Sequence, residues 1–352
     1  MSLSRRSLLA AATAGVTGAL LARPARADGP IEAAMDREAR RLGHPGVAMA
    51  IVPRDAPPIV RGYGVRDLRG RAPVQPDTIF RLASVTKVFS GVALLALRDA
   101  GTLSLDDPVA RWLPEARGLP AMTLRHLVTH TSGLPRDVPA GGTTEAALLA
   151  KLAWVKPVSA PGTRTSYSNL GMALAGPIVR RASGEPYRTW MHDRLLAPLG
   201  MTGAGWERAE LPADRLATGN LSVRTAAGAR FEPSLTEWRM GAAEAFGGLY
   251  ASAEDMARFA AFELGRLGAQ GPLAPASLRE SQSAAIEVQG ERLRYGVCWR
   301  LEGARVVHAG ATDEFSAAVV LEVARGAGAV VLSTAPFPVD VEGAAGRLLD
   351  RA

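Results

Sequence analysis

The spacing of apolar and polar positions changes rhythm twice along this chain. "IEAAMDREARRLG" repeats its apolar residues as an amphipathic helix does, and "HPGVAMAIVPR" and "PPIVRGYGVRDL" then alternate as two strands joined by a Pro-rich turn. The segment "SVTKVFSGVALLALRDAG" places Val88, Val92 and Leu95 at helical spacing, with Phe89, Ala93 and Ala96 beside them. This pattern predicts a helix that is apolar on most sides, hence buried, and that stops at Gly101. From about residue 105 to 285 the helical patterns are short, as in "LRHLVTH", "TTEAALLAKLAWV" and "SAEDMARFAAFEL", and Pro- and Gly-rich connections separate them. Strand rhythm then returns in "RYGVCWRLEG", "ARVVHAGA", "EFSAAVVLEVARG" and "AGAVVLSTA", before a closing helix in "DVEGAAGRLLDRA".

Strands at both ends around a helical middle predict an α/β fold of the α+β type. An antiparallel sheet, flanked by the terminal helices, forms a discontinuous lobe from about 30–104 and 286–352, and a mainly helical lobe, about 105–285, is inserted in it. Residues 28–352 read as a single domain, and the junction of the two lobes is a natural substrate cleft. At 352 residues and 47% hydrophobic, the chain can bury a sizeable core.

Residues 1–27 read as an export signal. Arg5 and Arg6 precede an apolar stretch from Leu8 to Ala22, which is too short to span a bilayer, and Ala25-Arg26-Ala27 is a small-x-small cleavage site. The arginine pair is similar to a twin-arginine signal. Cleavage would leave a periplasmic or secreted protein without a transmembrane anchor. It would also lower the net charge from +7 to +3. No basic block appears, so nucleic acid is not an expected partner. The oligomeric state is left open.

Lysine occurs at three positions only, Lys87, Lys151 and Lys156, in a chain with 41 basic residues. Arginine cannot release its proton at usable pH and lysine can, so a retained lysine merits attention. The one cysteine, Cys298, excludes an internal disulfide and any multi-cysteine metal site, and its apolar surroundings predict a strand-core position. His126 and His130 stand four apart, but Leu127 occupies the place of the glutamate in a zinc helix and no third ligand is evident, so both are expected to be structural. Asp106 and Asp107, ahead of Pro108, read as a helix cap. No metal or other cofactor is expected.

Three short motifs carry chemistry. Ser84-x-x-Lys87 would arise by chance about one time in six at this composition, whereas Tyr167-x-Asn169, in a chain with only two asparagines, would arise about one time in thirty-five. His-x-Gly is weak, since it occurs at both His44 and His308; only the second lies in the C-terminal strand pattern. A neutral serine must lose its proton to a base as it attacks. Three apart on a helix, Ser84 and Lys87 share a face, and at the helix N-terminus the unpaired N–H groups favour developing negative charge and a neutral lysine. Tyrosine and lysine are reluctant bases in water, but burial or a neighbouring cation can bring either into use, so the base is Lys87 or Tyr167.

These residues resemble the serine β-lactamase and penicillin-binding-protein superfamily, in its branch of class C β-lactamases, D-alanyl-D-alanine carboxypeptidases and family VIII esterases. The resemblance spans nearly all of residues 30–352 and includes "GTLSLDDPVARWLP", "LRHLVTHTSGLP", "PGTRTSYSNLG", "LLAPLGMTGAG" and "GGLYASAEDMARF", in the family's order. It implies a β-lactamase/transpeptidase-like fold. It also implies that Ser84 attacks a carbonyl of a small-molecule or peptide substrate to form an acyl-enzyme, while Lys87 and Tyr167 share proton transfer. Asn169 would orient substrate or lysine, the strand His308 to Ala311, with Gly310 within it, would form the opposite wall, and the N–H groups of Ser84 and Ala311 would make the oxyanion hole.

Two departures bear on substrate. Many relatives carry lysine where His308 stands, and a neutral histidine binds a substrate carboxylate less well. Glu314 stands where relatives often have glycine, which predicts an acid near the cleft rim. Both favour an esterase-like hydrolase of an ester or amide without an essential carboxylate. The alternatives are a D-alanyl-D-alanine carboxypeptidase, a class C-type β-lactamase, or a relative that binds peptidoglycan or peptide without turnover.

Overall fold

Residue-level physics sets the boundaries of the first element. Helix α1, Pro30–Leu42, begins on a proline whose missing N–H costs nothing there and ends at Gly43, which takes a left-handed φ of 64°. The computed structural model describes residues 29–138, 144–225, 228–235, 239–336 and 339–352. The expected leader, residues 1–27, lies outside the described residues.

The strands, in chain order, are β1 (Gly46–Val52), β2 (Ile59–Gly64), β3 (Ile79–Arg81), β4 (Asn220–Thr225), β5 (Gly228–Pro233), β6 (Tyr250–Ser252), β7 (Arg294–Tyr295), β8 (Arg300–Glu302), β9 (Arg305–Ala311), β10 (Ser316–Glu322) and β11 (Ala327–Ser333). Seven of them form one sheet in the order β2-β1-β11-β10-β9-β8-β7. Every neighbouring pair is antiparallel. The expected α+β architecture is therefore the observed one. β3 with β6 and β4 with β5 add two small sheets that the helical rhythm of the middle region did not reveal.

The central strands read as unbroken apolar runs because both faces of the sheet are covered. In β1, Ala48, Ala50 and Val52 enter the core shared with the helical lobe, while Val47, Met49 and Ile51 enter the core under the terminal helices. The C-terminal helix Val341–Leu349 adds Ala344, Ala345, Leu348 and Leu349 to that second core. Arg347 fixes it to α1 through a two-pronged contact with Glu38, each bond 2.9 Å long.

Helix α2, Thr86–Asp99, is the axle of the other core. Eleven of its residues are buried, and Phe89 stacks on Phe259 with ring centroids 3.8 Å apart. It ends as its sequence predicts, at Gly101, with φ 72°. The expectation for Cys298 is corrected. "RYGVCWRLEG" is two strands, β7 and β8, and Cys298 lies in the buried turn between them at φ 63°. Its N–H donates to the Val128 carbonyl at 2.8 Å. The turn packs on α2 where Gly91 has no side chain, since a Cβ there would lie 3.1 Å from Cys298 Sγ. Asp107 does not cap the helix Val109–Trp112 by a side-chain bond; it accepts from Ser104 N–H at 3.0 Å and pairs with Arg111.

Candidate active site

The nucleophile candidate sits on a tight turn rather than on the helix itself. Ala83–Val85 forms one turn of 3₁₀ helix that runs directly into α2. Ala83 adopts φ 48°, a left-handed conformation that costs an alanine roughly 1 kcal/mol. The surrounding bonds hold it there. Thr86 Oγ1 donates to the Ala83 carbonyl at 2.7 Å and accepts from Leu249 N–H at 3.1 Å, and Leu82 N–H donates to the Leu249 carbonyl. One turn lower, Ser90 Oγ donates to the Ala245 carbonyl at 2.7 Å. The segment 245–249 is thus stitched along the first turns of α2.

That segment also determines the state of Lys87. Its Nζ lies 2.9 Å from Ser84 Oγ and donates to the Phe246 carbonyl at 2.8 Å, with the rings of Tyr167 and Phe246 within 5 Å. Lys87 is wholly buried, and burial holds its pKa well below the ordinary lysine value, with the charge of Arg136 acting in the same direction. No acid pairs with it among the described residues. Burial therefore favours the neutral amine, whose lone pair can take a proton from the Ser84 hydroxyl.

Tyr167 completes the trio, its hydroxyl hydrogen-bonded to Ser84. Burial raises its pKa above the ordinary phenol value, partly offset by that bond. Behind it His130 is fully buried and neutral, its ring 4.4 Å from that of Tyr167 and its Nδ1 accepting from Ser168 N–H. His126 and His130, four apart in the sequence, hold different partners. His126 Nδ1 instead accepts from Thr123 N–H at the start of its own helix.

Asn169 opens the helix Asn169–Ala173, with Ser168 as its cap. Its N–H donates to the Arg136 carbonyl at 2.9 Å, and its Oδ1 has no hydrogen-bond partner. Among the described residues no hydrogen bond joins Asn169 to Lys87.

The opposite wall is β9. His308 is buried, and its Nδ1 lies 2.9 Å from the Ala309 carbonyl, so Nδ1 carries the proton and donates, leaving Nε2 as an unpartnered acceptor. Burial, reinforced by Lys87, pulls its pKa down to about 3. Gly310 is required by close approach. A Cβ there would run into the Leu82 carbonyl and come within 2.7 Å of Ser84 N. Ala311 follows Gly310 in the strand and faces the same cleft as Ser84. Ser84, Tyr167, His308, Gly310 and Ala311 all line one cleft of about 1050 Å³.

Glu314 departs from expectation. It accepts a hydrogen bond from Ser234 Oγ in a neighbouring surface depression, and the acids that line the cleft are Asp313, Glu302 and Glu342. Sequence reasoning also passed over the Phe246 carbonyl, which as main chain has no residue signature, and Arg136, whose guanidinium lies 5.1 Å from the centre of the Tyr167 ring.

The family model described as "Beta-lactamase" matches residues 27–352, nearly all of the chain. The chain belongs to the beta-lactamase family. Within it, this member is 37% identical over 210 residues to esterase EstB of Burkholderia gladioli, a match that covers 53% of this chain and 52% of that protein. It is 32% identical over 172 residues to the D-alanyl-D-alanine-carboxypeptidase/endopeptidase AmpH of Escherichia coli K12, covering 45% of this chain and 44% of the relative. These matches span about half the length of either relative. A beta-lactamase/D-alanine carboxypeptidase structure from Pseudomonas syringae shares the fold, with TM-score 0.77 and 24% identity over 92% of this chain and 98% of the other.

Proposed function

We propose that this family member is a serine hydrolase that cleaves an ester or amide through an acyl-enzyme, with an esterase-like preference. The observation that carries this reading is Ser84 Oγ 2.9 Å from a buried amine with no acid paired to it among the described residues. Lys87 accepts the serine proton during attack, the oxyanion forms against the Ser84 and Ala311 N–H groups, and Tyr167 gives its proton to the leaving group and is restored by the one that Lys87 took. Lys87 is the better base of the two because burial lowers its pKa and raises that of Tyr167. A water then repeats the cycle on the acyl ester.

The esterase preference rests on His308. A neutral ring offering an acceptor at Nε2 suits a donor or an uncharged group, whereas a carboxylate there would meet a lone pair. The 37% identity to an esterase favours the same choice. The 32% identity to a D-alanyl-D-alanine carboxypeptidase supports a second reading, cleavage of a D-alanyl peptide. Export follows from the leader pattern in residues 1–27, and among the described residues no helix is long and apolar enough to cross a membrane.

Incubation with a fluorophosphonate should add one adduct, mapped to Ser84 by mass spectrometry, and Ser84→Ala should lower turnover of short-chain p-nitrophenyl esters by at least about 1,000-fold. An unlabelled Ser84 would remove the nucleophile assignment. Turnover of a D-alanyl-D-alanine peptide but not of the esters would replace the esterase reading with the second one.

A further inference from the structure

Two arginines line the cleft, and they differ in their partners. Arg300 is neutralised by Glu302, at 2.6 Å, and by Glu342. Arg136 is exposed and has no ion pair among the described residues. Lys87 and His308, the remaining basic groups of the site, are both buried, and burial disfavours a positive charge on either. The positive charge that a ligand in the cleft can reach therefore sits at Arg136.

Its position is fixed close to the chemistry. The guanidinium lies over the ring of Tyr167, the residue bonded to Ser84, and the Arg136 carbonyl accepts from Asn169 N–H. That last bond uses main chain only, so the side chain can be changed without breaking it. An exposed guanidinium with its fork of donors free matches a carboxylate in charge and geometry.

The geometry points to Arg136 as a specificity-determining residue that favours substrates carrying a carboxylate near the reacting carbonyl. This inference rests on the hydrolase reading. The cleft-lining part of β9, Val307 to Ala311, offers no cation for a substrate acid, and Arg136, over the Tyr167 ring, supplies one. The acid speeds turnover of an ester that the site can also cleave without it.

Two matched pairs test this on both sides of the scissile bond. Mono-p-nitrophenyl adipate against p-nitrophenyl hexanoate places the acid in the acyl group. m-Carboxyphenyl acetate against m-carbamoylphenyl acetate places it in the leaving group. For at least one pair, Arg136→Gln should lower the anionic-to-neutral ratio of kcat/KM by roughly 10- to 100-fold. Arg136→Lys should restore part of it, and added salt should erode the wild-type ratio. Ratios that are the same in wild type and Arg136→Gln for both pairs would overturn the inference. If Ser84 still takes the fluorophosphonate in that case, the hydrolase reading stands. A wild-type protein that is neither labelled nor active would remove both.

Discussion

Lys87 is the residue on which the chemistry and the stability of this protein pull in opposite directions. In the folded state burial lowers the pKa of the amine, whereas in the unfolded chain it has the ordinary lysine value. The unfolded state thus binds more protons, so the stability linked to Lys87 falls as pH drops from the ordinary lysine pKa towards the lowered folded one. Lys87→Met should abolish ester hydrolysis yet raise Tm by roughly 2–4 °C at neutral pH, read by calorimetry. The kcat/KM profile of the wild type should have an acidic limb, with activity lost as Lys87 becomes protonated, at a pH well below the free lysine value. Its alkaline limb should lie above the ordinary tyrosine pKa, because burial raises that of Tyr167. Lys87→Arg, which cannot shed its proton, should be inactive across the whole range.

At the scale of elements, the site depends on how closely β9 approaches the turn that carries Ser84. Gly310→Val would push its side chain into the Leu82 carbonyl and the Ser84 amide, so the strand end must move away. We expect kcat to fall by about 100- to 1,000-fold, the cost of a misplaced oxyanion donor, while Ser84 stays on its 3₁₀ turn and Lys87 on α2. Circular dichroism and steady-state kinetics separate that outcome from unfolding. What the sequence made legible follows the same division. Ser84, Lys87 and Tyr167 stood out because proton transfer to and from a serine needs such residue types, and His308 by its place in the C-terminal strand pattern. Arg136 did not, being one arginine among many in a loop without periodicity. Cys298 misled because "GVCW" is as apolar as a strand while its backbone turns back on itself. The bonds from Thr86 and Lys87 to segment 245–249 join residues some 160 positions apart, and no local pattern encodes such a pairing.

On the scale of the whole molecule, the sheet joins the two ends of the described chain. β1 and β11 pair from Val47 with Ser333 to Val52 with Gly328, and both strands are buried on each face. Strands of this kind open only when the domain does. Native-state hydrogen exchange should therefore find the amides of Ala50 and Val330 among the last to exchange, at the free energy of global unfolding. Exchange of these two through an independent low-energy opening would contradict that view of the core.

The position of β11 has a further outcome for biosynthesis. It lies between β1 and β10, so within the sheet the strand that carries His308 is linked to β1 and β2 through β10 and β11. A ribosome that has made Ser84, Lys87 and Tyr167 has not yet made a working cleft. Reactivity should emerge late and abruptly, once residues 327–333 slot into the sheet, which spares the nascent chain from carrying an unguarded nucleophile through synthesis.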